Sequence, residues 1–143
     1  MTTIVYRDGI IAADTGVHAG HDWRKPDLYH KIARLQDGSL FAGAGDTGAF
    51  TKLQRWLDGS REDERPSIDD NDVIVVDRAT GVVTYYTGAG AREVEAPFIA
   101  IGSGMPPALG ALHHGATAEE AVRIACMVDP WSREPIDVVR LRD

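Results

Sequence analysis

The sequence predicts a layered α+β domain in which two antiparallel sheets pack face to face and helices cover the outside. Two observations carry this expectation. Four strand-like runs come first, joined in pairs by Asp-Gly turns, and one helical segment, three strands, two helices and a last strand follow. Runs of strands set apart from paired helices fit sheet-on-sheet packing better than an alternating βα order. No internal repeat or low-complexity tract interrupts that order, so the 143 residues read as one domain, 1–143, with a real core.

Composition narrows the class. Apolar content of 43% with 26% charged residues is that of a soluble globular chain. A formal net charge of -7 and the lack of a basic stripe argue against a nucleic-acid partner. Cys126 is the single cysteine, which forbids an internal disulfide and suits a reducing cytoplasm. No apolar run approaches the roughly 20 residues of a membrane helix, and the start lacks the basic and apolar regions of a signal peptide. A cytoplasmic location with no membrane contact is expected.

The first hairpin is read from its turn. Thr3-Ile4-Val5-Tyr6 is rich in strand formers, Asp8-Gly9 is a two-residue turn signal, and Ile10-Ile11-Ala12-Ala13 runs back. Arg7 then pairs with Ile10, Thr3 faces Asp14 and Thr2 faces Thr15. Residues 15–28 read as a loop whose His18 and His21, lacking a third ligand, are taken as ordinary loop histidines. A second hairpin turns at Asp37-Gly38, and counting outward sets Ile32 opposite Gly43 and Lys31 opposite Ala44. A lysine is thereby placed beside a Gly-Ala-Gly backbone.

Asp46 is a helix cap for a segment from about Thr47 to Asp58, closed by Gly59, with Phe50, Leu53, Trp56 and Leu57 on the buried face. The acidic residues 59–72 read as a solvated surface loop. Val73–Val76 and Val82–Tyr86 form a third hairpin around Arg78-Ala79-Thr80-Gly81, and the first arm lacks polar alternation, as a strand covered on both faces does. Gly88-Ala89-Gly90 is a flexible link. Phe98-Ile99-Ala100-Ile101 is a buried strand ending in Gly102-Ser103-Gly104. Pro106-Pro107 opens a helix over Ala108 to His114, and Thr117-Ala118-Glu119-Glu120 is a capping box for the next. Asp129-Pro130 ends that helix, and Ile136 to Leu141 alternates as a final strand.

Chemistry enters at the start of the chain. If Met1 is removed, Thr2 carries a hydroxyl and a free amine on one residue. An α-amine has a reference pKa of about 7.7–8.0, near enough to neutral to accept the hydroxyl proton. Many proteins begin Met-Thr, so the signal means something only if the rest of the chain brings a carboxylate, a cation and oxyanion donors to that terminus.

Several motifs in one order do so. Met-Thr-Thr-Ile-Val, Ile-Ala-Ala-Asp14, Lys31-Ile-Ala-Arg-Leu, Ala-Ile-Gly-Ser103-Gly104 and Asp129-Pro-Trp-Ser132 followed by Ile-Asp-Val-Val together resemble the proteasome β-type subunits of the Ntn-hydrolase superfamily, and most closely the bacterial HslV-like peptidases. The resemblance spans the whole chain. It implies a four-layer αββα sandwich of two antiparallel sheets, shortened by one helix, because residues 59–72 stand where the family has a helix. It implies a threonine-type endopeptidase that cuts unfolded protein inside a homo-oligomeric ring fed by an AAA+ ATPase unfoldase. Thr2 is then the nucleophile, Lys31 the cation beside it and Asp14 its orienting carboxylate. Gly43 is the oxyanion donor, and Ser103, Asp129 and Ser132 position the amine and water. No cofactor is implied, although a structural monovalent cation near Ser132 is compatible with the family. Two other readings stay open on sequence alone: a non-catalytic ring or assembly protein that kept the fold, and a stand-alone Ntn amidohydrolase acting on a small amide.

Overall fold

A computed structural model of the chain describes residues 2–20 and 23–143. Met1 and His21, both singled out above, lie outside the described residues. The elements run β1 (Ile4–Arg7), β2 (Ile10–Asp14), β3 (His18–Ala19), β4 (Trp23–Arg24), β5 (Ile32–Arg34), β6 (Leu40–Ala44), α1 (Thr47–Asp58), β7 (Asp72–Val76), β8 (Val83–Thr87), β9 (Gly90–Glu93), β10 (Phe98–Ile101), α2 (Met105–His113), α3 (Ala118–Val128) and β11 (Ile136–Arg140).

Two antiparallel sheets form the centre. One has the order β10-β1-β2-β11 and the other β5-β6-β7-β8-β9, while β3 and β4 make a small separate ribbon. Ile4, Ile11, Leu40, Ile74 and Val76 meet between the sheets, fully buried. Burying each such side chain stabilises the fold by roughly 1.5–3 kcal/mol. On the far face of the first sheet Val5, Ala12 and Ala100 pack on Ala108, Leu112, Ala121, Val122 and Ala125 of α2 and α3. On the far face of the second sheet Phe41 and Val73 pack on Phe50, Leu53 and Leu57 of α1. The layers are therefore α, β, β, α, with two helices on one side and one on the other. The continuous apolar run of β7 is explained: Ile74 and Val76 face the inter-sheet core, while Val73 faces α1.

The first hairpin forms in the expected register, Arg7 against Ile10 and Ile4 against Ala13. Asp8 and Gly9 both have positive φ (53° and 76°), the geometry of a two-residue hairpin turn that twists with its strands. The register then carries Asp14 to the end of β1, where its N–H donates to the Thr3 carbonyl at 3.1 Å. Both helix caps expected from sequence are present, Asp46 on Gly48 and the reciprocal Thr117–Glu120 box.

The differences have local causes. In the second hairpin Ile32 lies opposite Ala42, not Gly43. Leu35 pairs with Ser39 and not with Leu40, so the turn holds three residues with Gly38 at φ 89° instead of two, and the expected pairing of Lys31 with Ala44 is not formed. That shifts the register by one. Of the link Gly88-Ala89-Gly90, Gly88 and Ala89 make the turn after β8 and Gly90 starts edge strand β9, all four residues of which are exposed and so show no apolar pattern. The helix after Gly104 starts at Met105, with its prolines in the first turn, where no N–H is needed. Trp56 is only half-buried: its Nε1 donates to the Asp63 carbonyl at 2.9 Å. Residues 59–71 carry no helix or strand but are fastened. Ile68 is fully buried in the α1 core, and the Arg65 guanidinium donates to the Gly88 and Gly90 carbonyls.

Candidate active site

Asp14 ends β2 and is completely buried. Its carboxylate accepts four hydrogen bonds. Oδ1 takes the Thr3 N–H at 2.9 Å and Lys31 Nζ at 2.7 Å, while Oδ2 takes the N–H groups of Gly16 at 3.0 Å and Arg133 at 3.1 Å. The buried carboxylate thus ties together the residue before β1, the loop after β2, the residue before β5 and the turn before β11. Burial lowers the pKa of Lys31, and Asp14 opposes that shift by favouring the cation.

A second buried network reaches the same terminus from the other side. Asp129, the C-cap of α3, accepts the Ser103 hydroxyl at 2.7 Å and the Ser132 hydroxyl at 2.6 Å on Oδ2. Ser132 has spent its single proton on Asp129, so Thr3 Oγ1, 2.6 Å away, is the donor to Ser132 Oγ. By the same count Ser103 Oγ accepts from the Thr2 nitrogen at 3.1 Å. While Met1 is attached that nitrogen is a peptide N–H; without Met1 it is an amine. Thr3, read from sequence as a strand residue, joins both networks through its N–H to Asp14 and its hydroxyl to Ser132.

Glycines let the backbone close on the terminus. A Cβ on Gly102 (φ 98°) would stand 2.0 Å from the Thr2 carbonyl oxygen, and one on Gly104 would stand 1.7 Å from Thr3 Oγ1. The Gly104 N–H donates to the Thr2 carbonyl at 3.2 Å. Six of the seven sequence-derived residues thus stand in the two networks: Thr2, Asp14, Lys31, Ser103, Asp129 and Ser132. Gly43, the seventh, lies within β6 opposite Val73 and lines the cavity described next.

That cavity, of about 340 Å³, opens beside Thr2 and is also lined by Gly16, Val17, His18, Asp27, Tyr29, Lys31, Gly43, Gly45, Asp46 and Phe50. A smaller one of about 250 Å³ adjoins Thr2 on its other side. Gly45, one residue beyond β6, lines both. It has φ 129°, and its conformation is braced by Asn71, whose Oδ1 accepts the Asp46 N–H at 2.9 Å. Asn71 is itself held by Ile68, through its own N–H and its Nδ2 to the Ile68 carbonyl. The sequence placed Gly45 only within the Gly-Ala-Gly backbone near Lys31 and gave Asn71 no role. Only the buried Ile68, an apolar residue in an acidic stretch, signalled that this segment is anchored.

His18 lines the larger cavity with both ring nitrogens buried and without a hydrogen-bond partner among the described residues, its ring edge-on to Trp131 at 5.3 Å. Burial, with the cations Arg24, Lys31 and Arg133, lowers its pKa, so it is a neutral imidazole at pH 7. Cys126 offers no competing nucleophile at neutral pH: burial and the Asp14 charge push its thiol up to about 12. Among the described residues no cluster of three metal-ligating side chains occurs, and no helix is long and apolar enough to cross a membrane.

No family model and no curated protein matches the sequence. Solved structures do. The chain is similar to the BPH protein of Thiobacillus denitrificans, with 22% identity, a TM-score of 0.67 and coverage of 98% of this chain and 97% of that one. It is also similar to the eukaryotic HslV of Trypanosoma brucei, with 21% identity, a TM-score of 0.70 and coverage of 96% and 97%. The fold is that of the HslV-like, proteasome-type Ntn hydrolases. A mutant of Anbu from Hyphomicrobium sp. strain MC1 aligns with a TM-score of 0.73 at 16% identity, over 98% of this chain and 81% of that one. At these identities the likeness speaks for the fold and leaves the chemistry to the residues.

Proposed function

We propose that the chain is an N-terminal threonine peptidase. The reading rests on one observation: two buried networks, Asp14–Lys31 through Thr3 and Asp129–Ser103–Ser132 through Thr2 and Thr3, converge on the second and third residues of a chain whose second residue is threonine, and Lys31 shares a cavity with Thr2. A BPH structure with the same fold, 22% identical, contains epoxomicin, which is consistent with it.

With Met1 gone, the Thr2 amine accepts the hydroxyl proton as Oγ1 attacks a peptide carbonyl. The Lys31 cation, held in place by Asp14, lowers the cost of negative charge on that oxygen. Ser103 holds the amine nitrogen through its Oγ, so the base stays aimed. Backbone N–H groups of the Gly43–Gly45 segment stabilise the tetrahedral oxyanion; removing one such donor elsewhere costs about 2.7–4 kcal/mol. The amine then protonates the departing nitrogen, and water releases the acyl group from Thr2. Ring assembly as a homo-oligomer, unfolded protein as substrate and an AAA+ ATPase as feeder are part of the proposal, as is a cytoplasmic setting.

The test is the intact mass of the protein as made in cells, before and after brief incubation with a slowly hydrolysed peptide ester. The proposal expects a mass without Met1 and a transient acyl adduct that is absent from Thr2→Ala. A mass that retains Met1 leaves the nitrogen acylated and contradicts it.

A further inference from the structure

Thr2 stands between two cavities, and the hydrogen bond on its nitrogen distinguishes them. The larger holds Lys31, His18 and Phe50. The smaller is lined by Thr2, Ala44, Gly45, Asp72, Gly102 and Ser103. In acyl transfer the nitrogen that departs takes its proton from the group that removed one from the nucleophile. Here that group is the Thr2 amine, and its partner Ser103 lines only the smaller cavity. The departing side of the peptide therefore belongs in the smaller cavity and the acyl side in the larger.

Among the described residues Asp72 is the only ionisable side chain on the smaller cavity's wall. It opens β7, opposite Ala44 on one side and Thr87 on the other, and so lies one residue along from Gly45. One carboxylate oxygen accepts the Tyr85 hydroxyl at 2.6 Å. The other has no hydrogen-bond partner among the described residues, and no described cation forms an ion pair with Asp72. Burial and this bond push the Tyr85 hydroxyl up to about 12, so Tyr85 remains a donor and keeps the carboxylate aimed. Arg92 lies near but is stacked on the Tyr85 ring at 5.3 Å, on an adjoining cavity that it shares with Asp72.

We propose that the smaller cavity is the subsite for the residue immediately after the scissile bond, and that Asp72 makes it select a basic side chain, lysine or arginine. This rests on the peptidase reading above. A charge-assisted N–H···O bond to a carboxylate shielded by Tyr85 favours the cation, and a glutamate in the same place meets like charge.

The test uses the Met1-free protein and three fluorogenic peptides that differ only after the scissile bond, with arginine, alanine or glutamate there. Wild type is expected to cleave the arginine peptide with a kcat/KM about tenfold above the alanine peptide and to disfavour glutamate. Asp72→Asn, which still accepts from Tyr85, is expected to bring the arginine-to-alanine ratio near one. A ratio near one in wild type, or one that survives in Asp72→Asn, overturns the inference and leaves the peptidase reading standing. No cleavage of any of the three overturns both. Should Asp72→Asn fail to fold, wild type decides: the arginine preference has to shrink as ionic strength rises from about 0.05 to about 0.5 M, and a salt-independent preference overturns the assignment to Asp72.

Discussion

Lys31 Nζ stands 2.7 Å from Asp14 Oδ1, and neither side chain has appreciable contact with solvent. A buried pair of this kind is costly to break by removing one member, typically 3–5 kcal/mol, because the other is left uncompensated. Asp14 carries more than the lysine, since it also receives three backbone N–H groups. Asp14→Ala is therefore expected to destabilise by about 3–5 kcal/mol, and by more than Lys31→Met does. Urea unfolding of both variants checks the order, and a larger loss for Lys31→Met would contradict it.

The same pair sets a pH dependence. Rate rises with pH as the Thr2 amine loses its proton and becomes a base. It falls again as Lys31 loses its own, and because burial lowers the lysine pKa, that limb lies below the ordinary lysine range. Stability moves the other way. A native lysine that holds its proton less tightly than the unfolded one makes the fold more stable as pH rises from the native toward the unfolded value. The expected result is a bell-shaped kcat/KM whose alkaline fall is not accompanied by loss of the fold through this group. Parallel rate and denaturation profiles check it.

Glycine positions separate close approach from plain flexibility. Gly104→Ala places a methyl 1.7 Å from Thr3 Oγ1, and Gly102→Ala places one 2.0 Å from the Thr2 carbonyl at φ 98°. Both are expected to disorder the terminus and abolish cleavage. Gly110 on α2 meets nothing within 4 Å, so Gly110→Ala is expected to stabilise by about 0.5–1 kcal/mol. Melting temperatures of the three variants settle the contrast.

Asn71 is expected to act on rate through Gly45. Losing its acceptor for the Asp46 N–H frees the Gly45–Asp46 backbone, and displacement of a catalytic backbone by about 1 Å costs up to 10²-fold. Asn71→Leu should lower kcat about 10- to 100-fold with little change in KM, and Asn71→Asp, which keeps the acceptor, should recover most of it. Equal losses in both variants, tracking the melting temperature, would assign Asn71 a structural role only.

Much of this arrangement was legible in residue types. Asp8-Gly9 admits one tight turn, and from it the pairing of Asp14 with the Thr2–Thr3 end follows by counting. Asp46 and the Thr117–Glu120 box mark their helices because orphan N–H groups need local acceptors. What stayed hidden depends on tertiary placement. Asp37-Gly38 does not reveal whether its turn holds two residues or three, and one residue moved the register of β5. Strand β9 is an exposed edge, held by its ladder to β8 and not by any pattern of its own. The service that Asn71 performs for Gly45 needs Ile68 to be docked first, and the cavity at Asp72 exists only where β7 meets the Gly102–Ser103 turn.

The central claim is that Thr2 is the nucleophile. The most direct measurement is cleavage of a fluorogenic peptide by the Met1-free protein, set against Thr2→Ala with an unchanged melting temperature. The account predicts turnover in the first and none above background in the second. Equal turnover in both would contradict it.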